Sequence, residues 1–337
     1  MQRDRAIIEM NRMGGQGMPF IFAINYDMTD CRVWAIENVP HTVLFNFQGF
    51  CNDCDINRRG IPKRIEWNLK AEPEERYRKR FDIVQQHLRR GDSYLVNLTS
   101  RMEVVTNLSL IDIYNASKAK YKLLSNGEFV CFSPETFLQI NNGMISCCPM
   151  KGTIPANKPE ACHELVESKK ETAEHATIVD LIRNDLSRVA SHVTVEDYRY
   201  MERLYTNKGD IYQTSSRITG KLPKGFEDHL GDIIFSQLPA GSITGAPKPM
   251  TCRIIHEAEN YDRGFYTGVM GCWHDGKLDS AVMIRFLDTD GKHLWFKAGG
   301  GITAMSDCHS EYLETLEKIY VPITTDNEYV SDVNDYL

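Results

Sequence analysis

The sequence contains no long hydrophobic run. No stretch reaches the roughly 18 apolar residues that a membrane helix needs, and the N-terminal segment MQRDRAIIEMNRMGG is too polar for a secretory signal. Basic residues are not clustered, and the formal net charge is -7. These features argue against a membrane protein and against nucleic acid as the partner. We expect a soluble, cytoplasmic protein, whose acidic balance does not prevent a few placed cations or a metal ion from attracting an anionic substrate.

Cysteine is also too sparse for a disulfide scaffold, with 10 residues among 337. Cys51 and Cys54 form a lone C-x-x-C, and no second pair at zinc spacing follows it. Cys147 and Cys148 are neighbours inside a strand-like run. We therefore expect reduced thiols in the core and the loops. Internal repeats and low-complexity segments are absent as well.

Hydrophobic residues make up 42% of the chain, which is enough for a large buried core. The hydrophobic periodicity predicts helices over 73–90, 110–124, 160–190, 231–237, 247–260 and 309–320. It predicts strands over 19–26, 31–36, 42–47, 94–105, 127–140, 265–273, 278–287 and 293–298. Because the strands come in consecutive groups and do not alternate regularly with helices, the pattern favours a mixed, largely antiparallel α+β fold.

Two predicted helices each carry a pair of glutamates at helical spacing. Glu171 and Glu174 lie three residues apart on the helix over 160–190, so they share a face. Glu311 and Glu314 repeat this spacing on the last helix. Two such pairs could hold one Mg²⁺ between the helices, because this ion prefers oxygen ligands. The alternative is that both pairs are solvated acidic faces.

Two glycine-containing segments are candidates for ligand contact. In HLWFKAGGGIT, a predicted strand ends in Gly299–Gly301, whose backbone N–H groups could bind an anion ahead of a helix. The alternative is a tight turn. The segment GSITGAPK lacks the residue order of a phosphate-binding loop, so we reject nucleotide binding there. Its hydroxyl residues Ser242 and Thr244 remain candidates for contact with a substrate.

Three further residues stand out against their local sequence. Arg285 lies in the apolar run SAVMIRFL and is either half of a structural ion pair or a fork for a carboxylate. Tyr266 lies among glycines in RGFYTGVMG, where it is either a core residue or a ligand contact. Lys151 follows an apolar strand in CPMKGT; it is either a solvated lysine or, if desolvation removes its proton, a nucleophile.

Taken together and in this order, these segments resemble the chorismate-utilising enzymes. That family includes anthranilate synthase component I, aminodeoxychorismate synthase component I, and the isochorismate and salicylate synthases. The matching segments run from about residue 80 to 320 and read FSPETFLQI, CPMKGT, KKETAEHATIVDLIRNDLSRVA, LPAGSITGAPKPM, RGFYTGVMGCW, SAVMIRFL, KAGGGI and SEYLETLEKI. The resemblance implies antiparallel sheets packed as a sandwich with helices outside. It also implies a shortened strand-rich region over 1–70, a chorismate-binding catalytic domain over 71–322 and an acidic tail over 323–337.

The resemblance also implies roles for individual residues. Glu174 and Glu314 would bind Mg²⁺ directly, and Glu171 and Glu311 would act through metal-bound water. Glu135, in FSPETF, would be the general acid for departure of the C4 hydroxyl of chorismate. The residues that would contact the substrate are Arg285, Tyr266, Lys318, Gly299, Gly300, Gly301, Ser242, Thr244 and Gln213.

Lys151 indicates the subfamily. Members that make aminodeoxychorismate typically read P-I-K-G-T here, whereas the other synthases typically have Ala in place of the Lys. The resemblance therefore implies a magnesium-dependent chorismate aminotransferase of p-aminobenzoate and folate biosynthesis, which acts through a lysine adduct. Ammonia would come from a separate glutamine amidotransferase. The alternatives are anthranilate synthase component I and a catalytically silent chorismate-binding subunit.

Two positions depart from the family pattern. Leu95, in GDSYLVNLTSR, stands where hydrating members carry a Lys base and aminating members usually carry Gln. Gln213, in IYQTSSRI, stands at a position that is commonly His. Leucine cannot activate water, so hydration at C2 is not expected. The motif that binds feedback tryptophan in anthranilate synthases is not recognisable over residues 1–60.

Overall fold

The computed structural model describes residues 1–53, 64–156, 160–204, 210–320 and 328–330. Within these ranges the chain forms eight α-helices and nineteen β-strands. The helices are α1 (Arg3–Gly15), α2 (Glu74–Arg90), α3 (Leu110–Ala116), α4 (Ala161–Glu167), α5 (Lys169–Leu186), α6 (Leu230–Ser236), α7 (Lys248–Ala258) and α8 (Cys308–Glu317). The strands are β1 (Phe20–Ile24), β2 (Cys31–Ala35), β3 (Val43–Phe47), β4 (Phe50–Cys51), β5 (Arg64–Lys70), β6 (Leu95–Thr106), β7 (Tyr121–Ser125), β8 (Phe129–Ser133), β9 (Thr136–Asn141), β10 (Met144–Cys147), β11 (Met150–Pro155), β12 (Ser191–Leu204), β13 (Ile211–Lys221), β14 (Gly245–Ala246), β15 (Val269–His274), β16 (Lys277–Val282), β17 (Phe286–Thr289), β18 (Leu294–Ile302) and β19 (Glu328–Val330).

The strands form two sheets. The first sheet has the order β11-β13-β10-β9-β16-β15-β1-β2, and β12 also pairs with β13. The second sheet has the order β19-β5-β6-β18-β17-β8-β7-β3-β4, and β14 pairs with β6. Among the described strands, all pairs are antiparallel except β19 with β5. The predicted α+β fold with largely antiparallel sheets is confirmed.

A hydrophobic core lies between the two sheets and others lie under the helices. Ile21 of the first sheet and Phe45 of the second belong to one cluster of buried residues. Phe20 and Phe22, which neighbour Ile21 in β1, belong to a second cluster with residues of helices α1, α2, α5, α6 and α7. Alternate residues of β1 therefore face two different cores, which explains why FIFAI is apolar throughout. The arrangement is a sandwich with helices outside, as predicted.

Two predicted strands are each divided between the two sheets. The run over 127–140 forms β8 in the second sheet and β9 in the first, and the run over 278–287 forms β16 in the first and β17 in the second. Glu135 and Arg285 lie at these two crossings. The crossings are joined, because the N–H of Phe132 donates to the carbonyl of Arg285 (3.1 Å) and the N–H of Val282 donates to that of Glu135 (3.1 Å). The sequence did not reveal the corners, because the residues on both sides of each corner are strand-like and each half pairs within its own sheet.

Local sequence explains the helix ends. Helix α2 ends at Gly91, which has a left-handed backbone (φ +81°), as predicted. The predicted helix over 110–124 is wrong beyond Ala116, because Tyr121 begins β7, which is paired on both sides. The predicted single helix over 160–190 is also wrong, since it is divided at Ser168. The hydroxyl of Ser168 accepts the N–H of Glu171 and so caps α5.

The N-terminal region contributes to both sheets. Strands β1 and β2 extend the first sheet, whereas β3 and β4 extend the second. The boundary near residue 70 stays a prediction, and most of the predicted acidic tail over 323–337 lies outside the described residues. Across the described ranges, no helix is both long and apolar enough to cross a membrane.

Candidate active site

The glycine triplet lies within a strand of the second sheet. Contrary to the prediction, β18 continues through Gly299–Gly301, which pair with Thr99, Leu98 and Asn97 of β6. On the other side, the described pairing of β17 with β18 reaches only Lys297, because β17 begins after the corner at Arg285. The edge of β18 beside the glycines therefore faces the corner without a described strand partner.

Helix α8 places three charged side chains over these glycines. A Cβ atom on Gly300 would lie 3.5 Å from Glu311 Oε2, 3.6 Å from Lys318 Nζ and 3.9 Å from Glu314 Oε1. Lys318 Nζ lies 2.7 Å from Glu314 Oε1 and donates to the carbonyl of Gly299 at 3.0 Å. Glu311 is buried, and the hydroxyl of Ser306 donates to its Oε1 at 2.7 Å. The glycine thus lets two carboxylates and an ammonium group approach the strand.

The segment CPMKGT leads into β11 of the first sheet, against which α5 packs. Lys151 lies in β11, where its backbone pairs with Thr214 of β13. Its side chain lies outside the part of the chain that the structure describes. Gly152 follows at a β-bulge with φ +77°, and a Cβ atom there would lie 2.8 Å from Glu171 Oε2. Only glycine suits this backbone and this close approach, and the bulge lies beside a glutamate of α5.

Glu174 lies one turn beyond Glu171 on α5 and is buried, with 6% of its surface exposed. The next residue, His175, is fully buried, and its Nε2 lies 2.6 Å from the hydroxyl of Ser216 on β13. The sequence reasoning missed Ser216, although the run TSS in a buried strand is a signal, because buried hydroxyl groups need partners.

Helices α5 and α8 approach the same end of β6. Helix α5 packs on β11, β13 and β14, and β14 pairs with β6 through Gly245 and Val96. On the other side of β6, Ile302 of β18 pairs with the same Val96. Mg²⁺ prefers carboxylate oxygens as ligands, and the glutamates of both helices carry them. The glycines beside these glutamates have no side chains and so leave room for a ligand. In the described ranges no three Asp, Glu, His or Cys residues lie close enough to hold a metal ion, so the clamp of four glutamates stays a prediction.

Glu135 has a defined partner at its corner. The hydroxyl of Ser242 donates to its Oε1 at 2.5 Å. Both residues line a small pocket of about 20 Å³, together with Cys147 and Asp185. Thr244, two residues after Ser242, is fully buried, and its carbonyl accepts the N–H of Asn97 at 2.9 Å. The segment GSITGAPK therefore joins the predicted general acid to the strand beside the glycines.

Arg285 fits the binding of an anion. Its backbone has a left-handed conformation (φ +54°), and its guanidinium lies over the ring of Tyr320, 5.2 Å from the centroid. Its Nε is buried and has no hydrogen-bond acceptor among the described residues. A buried donor of this kind is costly unless a ligand supplies the acceptor, and a carboxylate suits a guanidinium.

Tyr266 lies deeper than the other predicted contacts. Its ring is buried in the core between the sheets and packs against Phe286, 6.0 Å between centroids. Burial raises the pKa of its hydroxyl, so it stays neutral at physiological pH. Its contact with substrate stays a prediction.

The two departures from the family pattern are both buried. Leu95 lies in β6 opposite Ala246 of β14 and belongs to the core. Gln213 lies in β13 between Thr153 of β11 and Glu202 of β12. Cys54 of the lone C-x-x-C lies outside the described residues.

Comparison with known proteins agrees with this geometry. The sequence model of the family described as chorismate binding enzyme matches residues 58–324. This chain belongs to that family. The match includes the segments that contain Lys151, the glutamates of α5 and α8, and Gly299–Gly301.

Named relatives place the chain within the chorismate binding enzymes. It is 44% identical to an uncharacterized PabA-like protein of Haemophilus influenzae over 318 residues, which cover 94% of this chain and 96% of that protein. It is 35% identical to aminodeoxychorismate synthase component 1 of Salmonella typhimurium over 261 residues, 72% of this chain but only 56% of the synthase. The solved anthranilate synthase component I from Streptococcus pneumoniae matches with a TM-score of 0.63 and 28% identity, over 76% of this chain and 58% of that one.

Proposed function

We propose that this chorismate binding enzyme is an aminodeoxychorismate synthase component I, which converts chorismate and ammonia to 4-amino-4-deoxychorismate. The observation that carries the proposal is the segment with Lys151, whose neighbour Gly152 is a bulge residue packed against Glu171. The 35% identity to an aminodeoxychorismate synthase component 1 supports it. The chain is similar to little more than half of that synthase's length, so the whole activity is part of the proposal.

The proposed mechanism replaces the C4 hydroxyl group by an amino group in two successive displacement steps. The amine lone pair of Lys151 attacks C2 of the ring, the C1–C2 double bond moves to C1–C6, the C5–C6 double bond moves to C4–C5, and the C4–O bond breaks. Glu135 gives its proton to the departing hydroxyl, which leaves as water. Ammonia then attacks C4, the double bonds return to C5–C6 and C1–C2, and the C2–N bond breaks with its electrons on the Lys151 nitrogen, which leaves as a neutral amine. Proton loss from the new C4 amine restores the balance of charge.

The remaining site residues bind and orient the substrate. A magnesium ion held by Glu174 and Glu314, with Glu171 and Glu311 behind them, would neutralise a chorismate carboxylate. The Nε group of Arg285 would donate to a second carboxylate at the corner between the sheets. Since β18 has no described partner on the edge beside Gly299–Gly301, backbone N–H groups there would complete the anion site.

Two alternative functions remain to be tested. One is the related enzyme activity of anthranilate synthase component I, and the other is a catalytically silent subunit that only binds chorismate. Mass spectrometry and chromatography of the product formed from chorismate, Mg²⁺ and ammonium separate all three. We expect 4-amino-4-deoxychorismate without loss of pyruvate. Anthranilate with pyruvate, or unchanged chorismate, would refute the proposal.

Replacing the general acid tests the role of Glu135. Glu135→Gln should lower kcat by about 10²-fold and leave KM for chorismate nearly unchanged, because an amide keeps the shape but cannot donate an acid proton. Steady-state kinetics measures both constants. Ser242→Ala is the matched control: it removes the partner of Glu135 but keeps the carboxyl group, so its loss should be smaller. Equal kcat values for Glu135→Gln and the wild type would refute the role.

The source of nitrogen gives a second test. The chain alone should use ammonium salts but not glutamine. Ammonium has a pKa of roughly 9, so only about one per cent is free ammonia at pH 7. Activity at fixed total ammonium should therefore rise about tenfold per pH unit above pH 7, until an enzyme group titrates. With a glutamine amidotransferase bound, glutamine should support the reaction near neutral pH.

The control for this experiment is a preparation shown to be free of glutaminase. Initial rates are compared at equal free ammonia and at equal total ammonium. Rates that depend on total ammonium alone, or amination from glutamine by the purified chain, would contradict the assignment of ammonia as the second nucleophile and of the partner as its source.

A further inference from the structure

A β-bulge in β12 turns one arginine toward the junction of α4 and α5, beside the helix that carries Glu171 and Glu174. Asp197 pairs with Arg217 and Tyr200 pairs with Ser215, so two residues of β12 stand opposite the single Ser216. One of the two is Arg199, whose backbone is left-handed (φ +50°). A non-glycine residue seldom adopts this conformation, which persists where surrounding contacts hold it. Bulges of this kind re-aim a side chain.

The side chain of Arg199 bridges the junction of α4 and α5. Its Nη1 donates to the carbonyl of Val166 at 3.2 Å and its Nη2 donates to that of Leu165 at 3.1 Å. These carbonyls belong to the last turn of α4, where helical partners are lacking. Its Nη1 also donates to the hydroxyl of Thr172 in the first turn of α5, at 2.7 Å. One guanidinium therefore binds both helices on either side of Ser168.

The backbone of Arg199 continues this connection toward the site. Its N–H donates to the hydroxyl of Ser216 at 2.9 Å, and the same hydroxyl lies 2.6 Å from Nε2 of His175. His175 directly follows Glu174, and Thr172 directly follows Glu171. Both glutamates of α5 thus neighbour a residue that Arg199 contacts, directly or through Ser216.

We propose that Arg199 is a positioning residue that fixes the α4–α5 junction and, with it, the placement of Glu171 and Glu174. The inference rests on the proposed function in assigning these glutamates to a magnesium site. Arg199 itself touches neither substrate nor metal in this scheme. Loss of its guanidinium releases three hydrogen bonds at the α4–α5 junction, two to α4 and one to α5, and so loosens the part of α5 that carries the two carboxylates.

Binding of Mn²⁺ tests the proposal without reference to the product. Free Mn²⁺ is measured by electron paramagnetic resonance during titration of the intact chain, first alone and then with chorismate in the absence of ammonia. Arg199→Ala should raise the Mn²⁺ dissociation constant by about 10-fold or more, the range found when residues that orient metal ligands are removed. Arg203→Ala is the matched control, since Arg203 lies on the same strand and pairs with Asp210 at the surface. It should bind Mn²⁺ as the wild type does.

Two further variants keep the test decisive if Arg199→Ala folds poorly. Thr172→Val removes one acceptor of the guanidinium and should weaken Mn²⁺ binding less, while Arg199→Lys, which cannot reach three acceptors, should fall between wild type and Arg199→Ala. Thermal unfolding is followed in parallel. A variant that unfolds at lower temperature but binds Mn²⁺ with the wild-type constant would overturn the positioning role, and so would a wild type without saturable Mn²⁺ binding. A different reaction product would refute the proposed function while leaving the Mn²⁺ result intact.

Discussion

Lys151→Ala is expected to slow the formation of 4-amino-4-deoxychorismate by on the order of 10³-fold or more, because removal of a covalent nucleophile leaves only binding and electrostatic assistance. Folding and chorismate binding should stay close to those of the wild type, since Lys151 is not expected to hold the substrate carboxylates. Steady-state kinetics gives the loss in kcat, and equilibrium binding of chorismate gives the unchanged affinity.

Two variants separate a nucleophile from a cation that merely attracts the substrate. Lys151→Arg keeps the positive charge, but a guanidinium does not lose its proton in proteins and is a poor nucleophile. It should be as inactive as Lys151→Ala. Lys221→Ala, at an exposed position of β13, should be fully active. Intact-protein mass spectrometry without ammonia should detect an adduct of chorismate less water on the wild type but on neither Lys151 variant. Full activity of Lys151→Arg would mean that charge, and not covalent attack, is what this position supplies.

The sequence predicted most reliably those features that depend on residues only a few positions apart. The spacing of Glu311 and Glu314 placed both side chains on one face of α8, and the structure brings both to Gly300. Helical spacing fixes such a relation locally, whatever the rest of the fold does. The same is true of Gly91 at the end of α2, where a single residue determines the turn.

What the sequence did not reveal depends on long-range pairing. The glycines over 299–301 were predicted to follow a strand, but they lie within β18 because β6 supplies partners for their backbone. The corners at Glu135 and Arg285 were hidden inside runs that looked like single strands. Only the division of each run between two sheets places these two residues at adjoining corners. Arg199 was missed for the same reason, since its role depends on a bulge opposite Ser216.

A loss of magnesium response should accompany the loss of activity in Glu174→Gln and Glu314→Gln. Each variant removes one anionic oxygen ligand from a hard cation but keeps the size of the side chain. We expect a loss in kcat/KM of about 10³-fold at a fixed Mg²⁺ concentration, because the metal supplies several kcal/mol of charge stabilisation. Titration of activity with Mg²⁺ should show that the half-saturating concentration has moved upward in both variants.

Disruption of the fold is the competing explanation for Glu314→Gln, since Glu314 pairs with Lys318 at 2.7 Å. The two side chains are 48% and 28% exposed, however, and an exposed pair of this kind contributes about 1 kcal/mol at most. That is too little to unfold a domain of this size, so an unchanged thermal transition with a changed Mg²⁺ curve would identify the loss as one of metal binding.

Glu317→Gln is the matched control, because Glu317 is an exposed glutamate one turn after Glu314 on the same helix. This variant should leave the Mg²⁺ titration unchanged. If Glu174→Gln and Glu314→Gln also kept the wild-type titration curve, α5 and α8 would not share a metal ion, and the carboxylates of chorismate would have to be neutralised by Arg285, Lys318 and the backbone of β18 alone.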